Sequence, residues 1–144
     1  MATGDMLMTA AQLAALESHC FKEPWSEQTI LDSLRSGNYV FSYIRPDGSD
    51  IPAGYACGLI MPDQCEVQRV CVLPEFRRRG FGERLMNELR TAFEASGACS
   101  VFLEVRSQNT PARSLYKKLG YREIGIRKHY YADDDAVIYM LELR

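Results

Sequence analysis

Between Val70 and Phe93 the chain changes its period. "VCVL" at 70–73 is an unbroken apolar run of strand type, whereas Leu85, Met86, Leu89 and Phe93 recur at helical spacing. The handover is made by Arg77-Arg78-Arg79-Gly80-Phe81-Gly82, six residues that hold three arginines and two glycines. A strand that gives way to a helix through so short a loop leaves the helix's first amides, and the positive end of its dipole, facing one spot. Glycines let successive N–H groups point into a common concavity. Arginine adds forked donors that match phosphate oxygens. The segment predicts a strand–loop–helix unit suited to holding an anion, the alternative being a glycine-containing helix start with solvated arginines. It is not a P-loop, which needs Gly-Lys followed by Ser or Thr. Nor is it a dinucleotide fingerprint, because Leu85 stands where the third glycine belongs and no β-α-β unit precedes it.

The flanking segments place this unit in a mixed sheet. "TAAQLAALESHC" predicts a helix capped by Thr9, with Leu13, Leu16 and Cys20 on one face. Pro24 and Trp25 break that pattern; Ser26 then caps "EQTILDSLR", with Ile30, Leu31 and Leu34 turned inward and Gly37 as the stop. "YVFSYIR" (39–45), "AGYACGLIM" (53–61) and "CEVQRVCVL" (65–73) read as strands joined by the turn signals "PDGSD" (46–50) and "PDQ", an antiparallel meander. Beyond the helix that Gly97 ends, "SVFLEV" (100–105) is a short buried strand. "NTPARSLYKKLG" is a helix capped by Asn109 or Thr110 and stopped by Gly120, with Leu115 and Leu119 burying it and Tyr116 beside that stripe, within reach of a cleft. "YREIGIRKHYY" and "AVIYMLEL" are alternating strands joined by "ADDD". The expected class is a single α/β or α+β domain over residues 1–144, built around one central sheet.

Composition excludes several functions. A net charge of −2 lacks the broad basic surface of a nucleic-acid binder, so the arginine cluster is a local feature. The five cysteines, Cys20, Cys57, Cys65, Cys71 and Cys99, form no C-x-x-C pair, and neither His19 nor His129 stands at zinc-ligand spacing. The expectation is free thiols in a reducing cytoplasm and no metal. No apolar run approaches the roughly 20 residues of a membrane span.

The pattern V-x-V-x-P-x-x-R-R-R-G-x-G at 70–82 resembles motif A of the GNAT family of N-acetyltransferases, whose loop reads Arg/Gln-x-x-Gly-x-Gly/Ala. "LEVRSQNTPARSLYKKLGY" at 103–121 is similar to that family's motif B through Asn109, Ala112, Leu115, Tyr116, Leu119 and Gly120, with Tyr121 for the usual Phe. "PWS" (24–26), "LEVR" and "HYY" (129–131) look most like the protein N-terminal acetyltransferases, among them the bacterial RimI-type branch that acetylates the N-terminal alanine of a small-subunit ribosomal protein. The "ADDD" link, which borders the peptide site in relatives, is shorter than in many RimI-type chains.

The resemblance implies the GNAT fold, a mixed and mostly antiparallel sheet flanked by about four helices, with acetyl-coenzyme A as cosubstrate. Val70, Cys71 and Val72 would bind the pantetheine arm. Arg77, Arg78, Arg79, Gly80, Phe81, Gly82 and Glu83 would hold the pyrophosphate, with Asn109 and Tyr116 also against the cofactor. The other partner would be the N-terminal peptide of a protein, ribosomal in the RimI branch, with no nucleic acid and no membrane.

The chemistry needs a base for the attacking amine and a donor for the departing sulfur. Glu104 is the candidate base, a lone carboxylate in an apolar strand where burial favours its neutral form; its structural alternative is a strand residue that faces solvent or pairs with Arg106. Glu66 is the second candidate and suits a relay water. A backbone N–H near Val72, freed by a bulge, is the expected oxyanion donor. Tyr116 would donate to sulfur. Trp25, Tyr130 and Tyr131 are candidates for the peptide groove, and Asp133, Asp134 and Asp135 for attracting a basic tail. Two other readings remain open: a lysine, polyamine or other small-amine acetyltransferase, and a non-catalytic acyl-coenzyme A-binding module.

Overall fold

The computed structural model describes residues 3–46 and 49–144. Its elements run α1 (Thr3–Cys20), α2 (Glu27–Ser36), β1 (Tyr39–Ile44), β2 (Gly54–Ile60), β3 (Gln64–Val72), a 3-10 turn (Pro74–Phe76), α3 (Phe81–Ala95), β4 (Ser100–Arg106), α4 (Thr110–Lys118), β5 (Arg122–Tyr131) and β6 (Asp134–Glu142). All six strands join one sheet in the order β1-β2-β3-β4-β6-β5. Every neighbouring pair is antiparallel except β3 and β4. The α/β expectation and the mixed, mostly antiparallel sheet hold. Residues 47 and 48 of the expected "PDGSD" turn lie outside the described residues.

Local capping explains most helix ends. Ser26 Oγ accepts from the Thr29 N–H at 3.1 Å to start α2, and Asn109 Oδ1 accepts from the Ala112 N–H at 3.3 Å to start α4. The expected start of α1 does not hold. The helix begins at Thr3, not after Thr9, and Thr9 is buried inside it. No proline stands between Thr3 and Met8, Gly4 falls in the first turn where its cost is least felt, and Asp5 stands there too, where a carboxylate suits the dipole.

Two apolar layers cover the sheet. On one face α3 and α4 bury Leu85, Leu89, Phe93 and Tyr116 against Val101, Leu103, Val105, Val137 and Tyr139. On the other, α1 and α2 bury Leu13, Leu16, Ile30 and Leu31 against Tyr55, Cys57 and Cys71. Tyr116, not Leu115 or Leu119, is the buried residue of α4, because its ring fits between Tyr121 and Tyr139 at 6.0 Å from each. The two leucines pack at the margin of that layer.

The sheet parts in its middle. β3 and β4 pair in parallel at Gln64↔Ser100, Cys65↔Val101 and Glu66↔Phe102; beyond these residues β3 follows β2 and β4 follows β6. At the parting, β3 carries a bulge: Val67 faces Gly58 and Arg69 faces Cys57, which leaves Gln68 as the extra residue. The expected bulge near Val72 therefore lies at Gln68. One extra residue reverses which side chains face which side. Before it, Cys65 and Val67 face α3; after it, Val70 and Val72 do, while Arg69 and Cys71 turn toward α1.

Candidate active site

The Arg-Gly loop closes β3 against α3. Gly80 caps α3 with φ of +80° and no side-chain cap. The first bond of the helix, Arg84 N–H to Gly80 O at 3.1 Å, leaves the amides of Phe81, Gly82 and Glu83 without helical acceptors. The two glycines serve different ends. A Cβ at Gly80 would meet nothing within 4 Å, so the left-handed backbone alone calls for glycine there. A Cβ at Gly82 would come within 3.2 Å of Leu115 Cδ2, so that glycine lets α4 approach α3.

The arginines divide their work. Arg77 folds back, its Nε donating to the Val72 carbonyl at 3.0 Å. Arg79 lies over the Phe76 ring at 5.2 Å, and Phe76 stacks on Phe81 at 6.2 Å. Arg78 is exposed with φ of +64°. Glu83 pairs with Lys118 of α4 at 2.9 Å, which ties the loop's helix to its neighbour.

Next to this loop, β3 offers open main chain. The Leu73 N–H donates to Ala53 O at 2.8 Å, and the Gly54↔Val72 pairing follows from it. The alternation of an antiparallel ladder then turns the peptide groups of Val70 and Val72 away from β2, into the gap that β4 has left. Cys71 points its main chain at β2 and its thiol into the α1 layer. Divergence of β4, rather than a bulge at Val72, frees the N–H and carbonyl of Val70 and the N–H of Val72, while Arg77 takes the Val72 carbonyl.

The carboxylates and phenols meet at the same gap. Glu66 and Glu104 lie on adjacent strands and face the α1 side of the sheet. Burial first, and then the charge of Glu104, hold the Glu66 carboxyl above its ordinary range, while Arg127 pulls it down. Glu104 is not alone: its Oε1 lies 2.9 Å from Arg127 Nε of β5. The Arg106 alternative fails because Arg106 pairs with Asp133 and lies 4.1 Å over the Tyr131 ring. Tyr131, partly buried, is held above the usual phenol range by burial first; Arg106 lowers it and Glu104 raises it.

Tyr116 arrives from the opposite layer. Burial, then the charges of Tyr131 and Tyr139, push its phenol up to about 12. The residue is 7% exposed, and its hydroxyl has no protein partner among the described residues. Because no buried side-chain oxygen or nitrogen there is left unpaired, the hydroxyl reaches solvent at the end of a clamped ring.

The remaining candidates line the rim. Tyr130 is exposed and packs edge-to-face on Tyr131 at 5.1 Å. Trp25 is partly buried in the loop between α1 and α2. The acidic turn is not available to a basic tail as expected, because its carboxylates are taken. Asp133 pairs with Arg106, Asp134 accepts from the Ser107 hydroxyl and the Gln108 amide, and Asp135 accepts from the His129 amide at 2.8 Å.

Sequence reasoning missed Arg127, Glu17 and Arg69. Glu17 and Arg69 carry a signal that a closer reading uses: opposite charges at positions where a helix stripe and an apolar strand should be buried. Arg127 carries none, since it stands among other exposed residues of β5.

A cavity of about 400 Å³ lies between the end of α1 and the 3-10 turn, lined by His19, Ile51, Leu73 and Glu75, and no candidate residue lines it. Among the described residues no cluster of His, Cys, Asp and Glu could hold a metal, and no helix is long and apolar enough to cross a membrane.

The sequence matches the acetyltransferase (GNAT) family over residues 10–121. It is 32% identical over 142 residues to the ribosomal protein bS18-alanine N-acetyltransferase of Salmonella typhimurium, covering 94% of this chain and 91% of that one. Identity to the Escherichia coli K12 protein of the same description is 31% over 140 residues, with the same coverage. The crystal structure of the Escherichia coli ribosomal-protein-S18-alanine N-acetyltransferase matches with a TM-score of 0.83 at 30% identity, over 99% of this chain and 90% of that chain. Arabidopsis thaliana NAA60, solved with acetyl-CoA, shares the fold with a TM-score of 0.80 at 19% identity, over 93% of each chain.

Proposed function

This chain belongs to the GNAT family of acetyltransferases, and from that premise we propose that it transfers the acetyl group of acetyl-CoA to the α-amine of a protein N-terminus. By analogy with its bS18-acetylating relatives, the acceptor is the N-terminal alanine of a small-subunit ribosomal protein. One observation carries the reading. Glu66 and Glu104 lie side by side where β3 and β4 part, next to main chain that β4 has left, and Tyr131 links Glu104 to Tyr116 across that gap.

The free amides of Phe81, Gly82 and Glu83, with Arg78 and Arg79 beside them, suit the pyrophosphate. Val70 and Val72 suit the amide-bearing pantetheine arm, which would pair with β3 as a strand does. The same open amides offer a donor for the oxyanion of the tetrahedral intermediate.

The acceptor nitrogen attacks the thioester carbon as the neutral amine. Neutralising an α-amine of pKa near 8 at pH 7 costs about 1.4 kcal/mol, against about 4.6 kcal/mol for a lysine. One modest base is enough for the former. Glu104 takes the proton directly or through a water held by Glu66; the C–S bond then breaks and the electron pair leaves on sulfur. Tyr116 stabilises that thiolate. With its phenol held near 12 by burial and a thiol near 8.5, full proton transfer is uphill by about 5 kcal/mol. Tyr116 therefore acts as a hydrogen-bond donor, and the thiolate takes its final proton from water.

The test is a coenzyme A release assay with two peptides, one with a free N-terminal alanine and no lysine, the other N-acetylated with an internal lysine. Turnover on the first alone is expected. Turnover on the second alone would replace the acceptor class; binding of acetyl-CoA without turnover on either peptide, or on a polyamine added in a third assay, would leave a non-catalytic module.

A further inference from the structure

A buried ion pair lies outside the chemistry described above. Glu17, on the inward face of α1, is fully buried. Its two oxygens receive Arg69 Nε at 3.0 Å, Arg69 Nη2 at 2.6 Å, the Trp25 amide at 2.9 Å and the Tyr55 hydroxyl. The Arg69 Nη2 also donates to the Glu23 carbonyl at 3.3 Å. Its guanidinium lies 4.0 Å over Phe21 and 5.2 Å from the Trp25 ring.

Apart from the Tyr55 hydroxyl of β2, the partners of this pair all fall on the loop between α1 and α2. Among the described residues, the main chain from Lys22 to Trp25 makes hydrogen bonds to these two side chains and to nothing else. A segment with no hydrogen bonding of its own takes its conformation from whatever holds it. Here the holder is one carboxylate and one guanidinium.

Stability alone does not account for the pair. A buried ion pair is often no better for stability than an apolar replacement, and α1 already docks through Ala10, Leu13 and Leu16. What the pair adds is a fixed geometry. The loop it fixes borders the parted strands: past the bulge, Arg69 stands on the α1-facing side of β3, the side that Glu66 and Glu104 also face. The charges of Arg69 and Lys22 in turn reach Tyr131 and Asp133 of the hairpin of β5 and β6. The Gln68 bulge is what turns Arg69 toward α1, so the irregularity that marks the parted strands also sets this loop.

We propose that Glu17 and Arg69 are positioning residues for acceptor recognition, holding Phe21–Ser26 as a rigid wall of the acceptor groove. The inference rests on the acetyltransferase reading, but its test has a readout that does not. Trp25 is the chain's single tryptophan, so intrinsic fluorescence reports on this loop alone. In Arg69→Lys, which keeps the charge and loses the fork, and in Glu17→Gln, acrylamide quenching of Trp25 should rise about twofold or more. The KM for a peptide with a free N-terminal alanine should rise about 10-fold, with the KM for acetyl-CoA and kcat at saturating peptide within about twofold of wild type.

Unchanged quenching, or equal rises in both KM values, overturns the proposal. If both variants fail to fold, hydrogen exchange on the wild type decides: the peptide should slow the Trp25 amide and acetyl-CoA alone should not, and the reverse overturns it. A wild-type enzyme that ignores every peptide α-amine sinks the acceptor assignment, whereas an active wild type whose variants keep its peptide KM sinks this inference only.

Discussion

The Glu104 carboxylate reaches the Arg127 guanidinium at 2.9 Å across an intervening strand, since β4 and β5 both pair with β6 and not with each other. The contact puts a cation next to a carboxylate pair. Burial and Glu104 hold Glu66 above its ordinary range, and Arg127 is the charge that opposes them.

Arg127→Gln removes a charge that lowers the Glu66 carboxyl and leaves burial and Glu104 raising it, so the proton affinity of Glu66 rises. The acid limb of kcat/KM should move to higher pH, with activity lost at pH 6 before it is lost at pH 8. Stability should change by less than about 1 kcal/mol, because Arg127 is exposed and such pairs contribute little. A pH–rate profile from pH 5 to 9 checks this, and an unmoved acid limb would detach these carboxylates from the rate-controlling ionisation.

Tyr116→Phe keeps the ring between Tyr121 and Tyr139 and removes a hydroxyl with no protein partner among the described residues. Thermal stability should stay within about 1 kcal/mol of wild type while kcat falls about 100-fold. Glu104→Gln should lower kcat to a similar degree. Because burial holds the Tyr116 phenol near 12, it stays protonated up to pH 10, and the alkaline limb should persist in the phenylalanine variant. Normal kcat in either variant would remove it from the mechanism.

Three glycine-to-alanine changes should rank in an order set by geometry. At Gly58 the new Cβ would stand 2.3 Å from Phe93 Cζ and 2.8 Å from Cε1, so the sheet–helix layer must shift, at a cost of about 2–3 kcal/mol. At Gly80 there is no clash, but φ of +80° costs about 1–2 kcal/mol. At Gly82 only the tip of Leu115 must yield, at a cost below about 1 kcal/mol. Urea denaturation gives the ranking. Of the three, Gly80→Ala should weaken acetyl-CoA binding most, measured by calorimetry, since it disturbs the amides that face the anion.

Acid should loosen the hairpin of β5 and β6 first. The Ser107 hydroxyl and the Gln108 amide hold the Asp134 carboxyl below its ordinary 3.8, the Arg106 guanidinium does so for Asp133, and the His129 amide for Asp135. Groups depressed in the folded state add stability that is fully present above the unfolded pKa and lost as pH falls through the folded one. The loss should begin below about pH 4. Asp134→Asn should reduce stability at pH 7 and flatten its acid dependence; an unchanged acid-unfolding curve would show that these contacts are solvated away.

Much of the fold was legible because its signals are local. Ser26 and Asn109 cap the helices they precede, and Leu85, Leu89 and Phe93 are buried as their spacing requires. Thr9 misled because a helix-starting residue type sat within a helix that was already under way. Part of the candidate site was legible as an inventory: Glu66 and Glu104 do lie on adjacent strands, with Tyr131 near Glu104. Its wiring was not. Glu104 was expected to be a lone carboxylate or to pair with Arg106, not Arg127; Leu115 and Leu119 were expected to bury α4 with Tyr116 beside them; and the acidic turn was expected to attract a basic tail.

What the sequence determined by itself is the order of elements, their caps, and a glycine-bearing handover from strand to helix with its amides bare. Each of these depends on residues a few positions apart, whose geometry the backbone sets. Tertiary structure decided the rest: the slip at Gln68 that swings Arg69 to α1, the reach of Arg127 over β6, and the sinking of Tyr116 between two other rings. Register and charge pairing join residues separated by tens of positions, and only the packed sheet decides which of several chemically acceptable partners comes within reach.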